Sequence, residues 1–186
     1  MRKMVVTEFI SLDGVIDSPG GGNHPQAGWT FKFDIGEGYL FKNEELMAAD
    51  SQVLGRVTYE EFAAAWPTME NTGDFGVKMN SMPKYVVSTT LQEANWENST
   101  ILGSVDEVRN LEGNILVAGS GTLARGLLAA DLVDELNLMI FPVVLGSGRK
   151  LFGDGETRSL TPLEYRESGQ VVIARYRIDR GADPAA

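Results

Sequence analysis

Two glycine-bearing segments have the residue types and spacing to do chemistry. Leu54-Gly55-Arg56-Val57-Thr58 and Val117-Ala118-Gly119-Ser120-Gly121-Thr122 each join an apolar, strand-like run to a helix-like one. Ligands of open α/β sheets collect at the carboxyl ends of strands, where helix N-termini offer free N–H groups to phosphate. Two such junctions fit the two ends of a pyrophosphate-containing cofactor, with Arg56 and Thr58 adding a guanidinium and a hydroxyl at the first. Neither junction matches GxGxxG or GxxxxGK[ST], so each Gly can equally serve only to close a tight turn. Asp13 is the acid expected to be catalytic, at the mouth of the first strand. An Asp-Gly turn residue satisfying backbone N–H groups is the other role open to it. Trp29, Phe31 and Phe33 can cover a flat heterocycle or anchor the core, and Trp66-Pro67 can line a pocket or end a helix. His24, the sole histidine, lies in a Gly/Pro loop and is expected to face solvent; without cysteine, no metal set is expected.

The elements that must position these residues belong to a chain of 186 residues, a length suited to one domain. With 26 acidic against 16 basic side chains, the net charge of −10 argues against nucleic-acid and acidic-membrane binding. The absence of cysteine excludes disulfides, thiolate chemistry and iron–sulfur clusters. No apolar stretch approaches the ~20 residues of a membrane span. The opening run Met4-Val5-Val6 is broken by Glu8, so no signal peptide is expected and the expected address is cytoplasmic.

Strand patterns cover residues 3–10, 51–55, 84–89, 98–102, 114–119 and 135–145. A late hairpin pairs 163–167 with 171–178 through Ser168-Gly169. Helical periodicity covers 37–49 and 122–130, and Thr58 reads as the N-cap of a helix reaching residue 65. Ser104-Val105-Asp106-Glu107 resembles a capping box opening a short helix that ends near residue 113. Residues 11–30 and 66–83 read as irregular, apart from a turn of helix at 75–79. The alternation predicts an α/β fold: a mostly parallel sheet with an antiparallel C-terminal hairpin. One domain, 1–178, and a disordered tail, 179–186, are expected.

Five blocks carry a resemblance. Phe9-Ile10-Ser11-Leu12-Asp13-Gly14-Val15-Ile16 resembles the first strand and loop of the dihydrofolate reductase-like superfamily. Its SLDG form is particularly similar to the riboflavin-pathway pyrimidine reductase domain. Val53-Leu54-Gly55-Arg56-Val57-Thr58-Tyr59-Glu60, Pro83-Lys84-Tyr85-Val86-Val87-Ser88, Ile115 to Leu123, and Pro142 to Gly148 with Leu151-Phe152 follow in family order. The resemblance implies a three-layer fold with helices on both sheet faces, NADPH as cofactor, and a homodimer built through 136–144 and the hairpin. It implies that Gly55, Arg56 and Thr58 hold the pyrophosphate and 2′-phosphoadenosine end, with Ser88 and Thr89 beside the adenosine. Gly119, Ser120, Gly121 and Thr122 would pass under the nicotinamide and diphosphate, and Phe9 and Ile16 would touch the nicotinamide. Trp29 and Phe41 are the expected substrate contacts. The implied reaction is hydride transfer to a planar heterocycle or sugar-derived imine, nearest to reduction of 5-amino-6-(5-phosphoribosylamino)uracil. A dihydrofolate or pterin reductase, and an NADPH-binding protein without that activity, are the alternatives. The helix acid that holds pterin would fall near 39–41, where this chain has Tyr39-Leu40-Phe41.

Overall fold

Apolar runs too long to face water on either side set the middle of the molecule, because strands buried on both faces lose the polar half of their alternation. Ser51–Gly55 is buried at every position. The computed structural model describes residues 2–153 and 157–180. Strands β1 (Lys3–Ser11), β2 (Ser51–Gly55), β3 (Lys84–Val87), β4 (Ser99–Leu102), β5 (Asn114–Val117), β6 (Glu135–Phe141), β7 (Leu160–Ser168) and β8 (Val171–Ile178) form one sheet. Their order is β4-β3-β2-β5-β1-β6-β8-β7. The strands from β4 to β6 run parallel, while β8 runs antiparallel to β6 and β7 to β8. All six parallel strands therefore end on one edge, as the sequence predicts.

Helices α1 (Gly38–Ala48), α2 (Arg56–Ala65) and α3 (Gly73–Ser81) cover one face, and α4 (Gly121–Ala129) the other. Leu123, Ala124, Leu127 and Leu128 of α4 pack on Met4, Val6 and Ile10 of β1. On the opposite face, Leu46 and Ala49 of α1, Tyr59 of α2 and Met79 of α3 pack on Leu54 and Val86. Phe41 joins Met139, Phe141 and Ile173 over β6 and β8.

Several boundaries differ from the sequence pattern for identifiable reasons. Helix α2 begins at Arg56 with Gly55 as its N-cap, so Thr58 lies inside the first turn and caps nothing. Helix α3 occupies a stretch that reads as irregular, anchored by buried Met79. Residues Val105–Asn110 form a 3-10 segment, and Ser104 Oγ meets the Glu107 carboxylate at 3.3 Å instead of a backbone donor. Strand β6 stops at Phe141 because Pro142 has no N–H for the ladder. At the C-terminus, Asp179 accepts from Thr161 Oγ1 at 2.9 Å and Arg180 pairs with Asp134 at 2.7 Å. These two residues are thus held where a tail was expected; 181–186 lie outside the described residues.

Candidate active site

The two glycine junctions, distant in sequence, meet at the carboxyl edge of the sheet because β2 and β5 are neighbours. The N–H of Gly55 donates to the Gly119 carbonyl at 3.2 Å. A Cβ on Gly55 would stand 2.2 Å from Ser120 Oγ and 3.0 Å from Ser120 Cβ, so only glycine allows this approach. Gly119 has φ +102°, a conformation L side chains avoid, and a Cβ there would lie 3.0 Å from Thr58 Oγ1. The hydroxyl expected to cap α2 is instead the wall against which Gly119 turns. The Gly119–Ser120 peptide is cis. Ser120 is the N-cap of α4, whose first N–H groups open on the same edge. Buried Ile16 and the aliphatic stem of exposed Arg149 close over Gly121. Phe9, half-buried, stands edge-on to Phe141 at 5.6 Å.

Gly55, Thr58, Gly119, Ser120, Gly121 and Ile16 are thus brought together. Arg56 lies on the exposed side of α2 and pairs with Glu60 at 2.8 Å. Ser88 closes the turn after β3, its Oγ accepting from the N–H groups of Thr90 and Leu91 at 3.1 and 2.9 Å. Thr89 and Thr122 are exposed.

Three expected site residues have other surroundings. Asp13 accepts from Ser11 Oγ at 2.6 Å and from the N–H groups of Leu145 and Gly146 at 3.1 and 2.8 Å. The Ser11 hydroxyl, followed by these backbone donors, holds its carboxyl down at about 2. It fastens the loop after β6 to the end of β1, the turn role that an Asp-Gly pair also offers. Trp29 is 1% exposed, its indole N–H donating to the Asp17 carbonyl at 2.9 Å, and Phe41 is 3% exposed. Both are core anchors around Phe141; of Trp29, Phe31 and Phe33, the one that is exposed is Phe31, at 78%. His24 is half-buried, not exposed, with Nε2 3.0 Å from the Ser147 carbonyl and Nδ1 accepting from Gln26 N–H. Among the described residues, no cluster of His, Cys, Asp and Glu suits a metal ion.

Sequence reasoning missed two groups. Glu8 lies between Val6 and Ile10 on the α4 face of β1, buried, and its Oε1 has no hydrogen-bond partner among the described residues. Desolvation pushes its carboxyl up to about 8, against the pull of the Lys42 charge. On the other face, Lys42 and Glu45 of α1 reach Thr7 of β1. Their spacing of three places them on one helix side, but periodicity does not reveal which strand that side meets.

This sheet order, with helices on both faces and glycine turns at the carboxyl edge, defines a dihydrofolate reductase-like fold. Dihydrofolate reductase from Enterococcus faecalis complexed with NADP(H) superposes with TM-score 0.55 at 16% identity, covering 95% of this chain and 96% of that one. The chain belongs to the family of RibD C-terminal domains, whose model matches residues 2–174. A Shewanella sp. PV-4 protein, described provisionally as one of riboflavin biosynthesis, superposes with TM-score 0.71 at 22% identity and covers 96% of this chain and 99% of its own. The riboflavin biosynthesis reductase Rib7 of Saccharomyces cerevisiae gives 0.60 at 16%, covering 96% and 90%.

Proposed function

We propose that the protein is an NADPH-dependent reductase of planar heterocycles or sugar-derived imines, acting on 5-amino-6-(5-phosphoribosylamino)uracil or a close analogue. The observation that carries this reading is the fusion of the β2 and β5 turns. Gly55, Gly119 and Gly121 let Ser120, Thr58, Ile16 and Arg149 pack close to the backbone where α4 begins, and the first N–H groups of α4 are donors of the kind a diphosphate takes. In this reading Gly119, Ser120, Gly121 and Thr122 hold the diphosphate and nicotinamide side, and Phe9 and Ile16 bound the nicotinamide. Arg56, Thr58, Ser88 and Thr89 serve the 2′-phosphoadenosine end. Arg149, whose backbone N–H donates to Asp17 Oδ2 at 3.4 Å, brings an exposed guanidinium to this edge of an acidic protein.

When bound, NADPH supplies a hydride from C4 of its nicotinamide. The chain orients the acceptor against it and excludes water. The accompanying proton comes from water in this reading, since Asp13 is ionised at neutral pH. The absence of a carboxylate at Tyr39-Leu40-Phe41, followed by the cation Lys42, weighs against a pterin substrate. No helix among the described residues is long and apolar enough to cross a membrane, and a cytoplasmic address remains part of the reading. So does a homodimer: on the terminal hairpin Tyr165 and Val172 are 61% and 39% exposed, an apolar surface for a second copy. Sedimentation at micromolar concentration tests the dimer.

Calorimetric titration with NADPH and NADH, then NADPH oxidation with the ribosylaminouracil, tests the reading. Tight NADPH binding and substrate-dependent oxidation are expected. Failure to bind NADPH overturns it, and binding without turnover selects the non-catalytic alternative.

A further inference from the structure

Where α1 lies on β1, a chain of polar side chains runs through the protein. Lys42 Nζ donates to Thr7 Oγ1 and, at 2.9 Å, to Glu45 Oε2. Thr7 Oγ1 in turn donates to Glu45 Oε2 at 3.0 Å. Asn137 Nδ2 donates to Glu45 Oε1 at 2.7 Å, and Arg175 Nε donates to Asn137 Oδ1 at 3.3 Å. Arg175 then pairs with Glu164 at 3.2 Å. A cavity of about 350 Å³ borders the far side of this chain, where Lys3 and Arg175 are both turned on Glu135.

Lys42 is different. An ammonium has three hydrogens to donate, and two are spent on Thr7 and Glu45. Its side chain is only 19% exposed and that of Glu45 5%, so the third donor is costly to leave unmatched. Asn137 holds the other oxygen of Glu45, Oε1, so the carboxylate is fixed beside the ammonium. Nζ stands 5.0 Å from the centre of the half-buried Phe9 ring, which supplies the floor; the Phe41 ring, 5.6 Å away, is buried in the core. Val6 pairs with Val117, so the continuation of β5 into the Gly119–Ser120 turn runs beside this part of β1. An aromatic floor, a held cation with a donor to spare and the glycine turns therefore adjoin.

We infer that Lys42 is a substrate-binding residue, whose third N–H is taken by an oxo oxygen of the heterocycle being reduced. Glu45, held by Asn137 and Arg175, is its positioning residue. The inference rests on the reductase reading and names the side chain by which that site would choose its substrate. A phosphate oxygen of the same substrate would offer similar acceptor chemistry; the aromatic floor favours the ring.

Glu45→Gln alone, Lys42→Met with Glu45→Gln, and Lys42→Arg with Glu45→Gln make the test, because K42M alone would leave Glu45 buried without its cation. Melting curves establish that each variant folds. Relative to E45Q, the K42M/E45Q protein is expected to bind NADPH within about twofold by calorimetry, while KM and the product Kd worsen ~10- to 100-fold. The arginine variant should recover part of that loss. Ribosylaminouracil with and without its 5′-phosphate should show the same loss. A loss confined to the phosphorylated form overturns the oxo assignment, and unchanged KM and Kd in a folded, active protein overturn the role of Lys42. A wild type that binds NADPH but neither binds nor reduces the pyrimidine sinks the substrate reading itself, and this inference with it.

Discussion

Lys42 and Lys84 are both withdrawn from solvent and both lie against aromatic rings, yet their surroundings differ in one countable respect. Lys84 is fully buried, 4.3 Å from the centre of the Trp96 ring. Its Nζ donates to the carbonyls of Asn80 and Met82 at 2.8 Å and of Glu97 at 2.9 Å. Three hydrogens meet three carbonyls, and desolvation pulls this ammonium down to about 8, against the Glu97 charge. Lys42 has two protein acceptors and a third hydrogen to give. Burial and a nearby ring are therefore shared features; the count of satisfied donors separates a cation that ties loops together from one that can bind. The contrast teaches where to look for function in a saturated interior: at the group whose hydrogen bonding stops one short.

Lys84→Met should have the largest effect, because it strands three carbonyls that no other donor reaches. A loss of about 3–5 kcal/mol is expected in denaturant unfolding. K42M/E45Q should lose only about 1 kcal/mol. Equal losses would erase the distinction between the two lysines. Next in size is Gly55→Ala, whose Cβ would meet Ser120 Oγ at 2.2 Å and force the two turns apart. It should cost about 1–3 kcal/mol of stability and weaken NADPH at least ~10-fold by calorimetry. Intact NADPH affinity would show that the fused turns are structural only.

Glu8 extends the comparison to a buried acid lacking a partner at one oxygen. Between pH 4.5 and about 8 the folded carboxyl keeps a proton that the unfolded chain releases. Wild-type stability should therefore fall as pH rises through that window and level off above it. Glu8→Gln should flatten this slope and gain on the order of 1–2 kcal/mol at its upper end, measured by denaturation at both ends. A slope unchanged in E8Q would remove the assignment. The smallest effect belongs to Arg56, an exposed cation already paired with Glu60. Arg56→Ala should cut the preference for NADPH over NADH only ~3- to 10-fold. Equal weakening of both nucleotides would take the 2′-phosphate away from this residue.

How much of this was legible depends on how local each signal was. Ser51–Gly55 matches its predicted strand because the short run Val53-Leu54-Gly55 precedes a helix start, although Ser51 and Gln52 are buried beside it. The hairpin around Ser168-Gly169 was equally readable from alternation and a turn pair. Thr58 misled, since α2 already begins at Arg56 with Gly55 as its N-cap, two residues earlier than a threonine cap would place it. For Asp13 and Trp29 both roles were legible, acid or turn residue and lid or core anchor, but not the choice between them. Their roles depend on Leu145, Gly146 and Asp17 arriving beside them.

The sequence by itself determined the succession of strands, the absence of thiol chemistry, and the two glycine junctions as places to look for a site. Those properties follow from side-chain volume, charge and periodicity, which act within a few residues. Only the tertiary structure decided that Gly55 and Ser120 touch, that Asp13 ties the loop after β6 to the end of β1, and that Lys84 is saturated while Lys42 is not. Each of these is a count of hydrogen bonds or a distance between segments remote in sequence. Such quantities exist only once the sheet has set its strand order and brought the partners within reach.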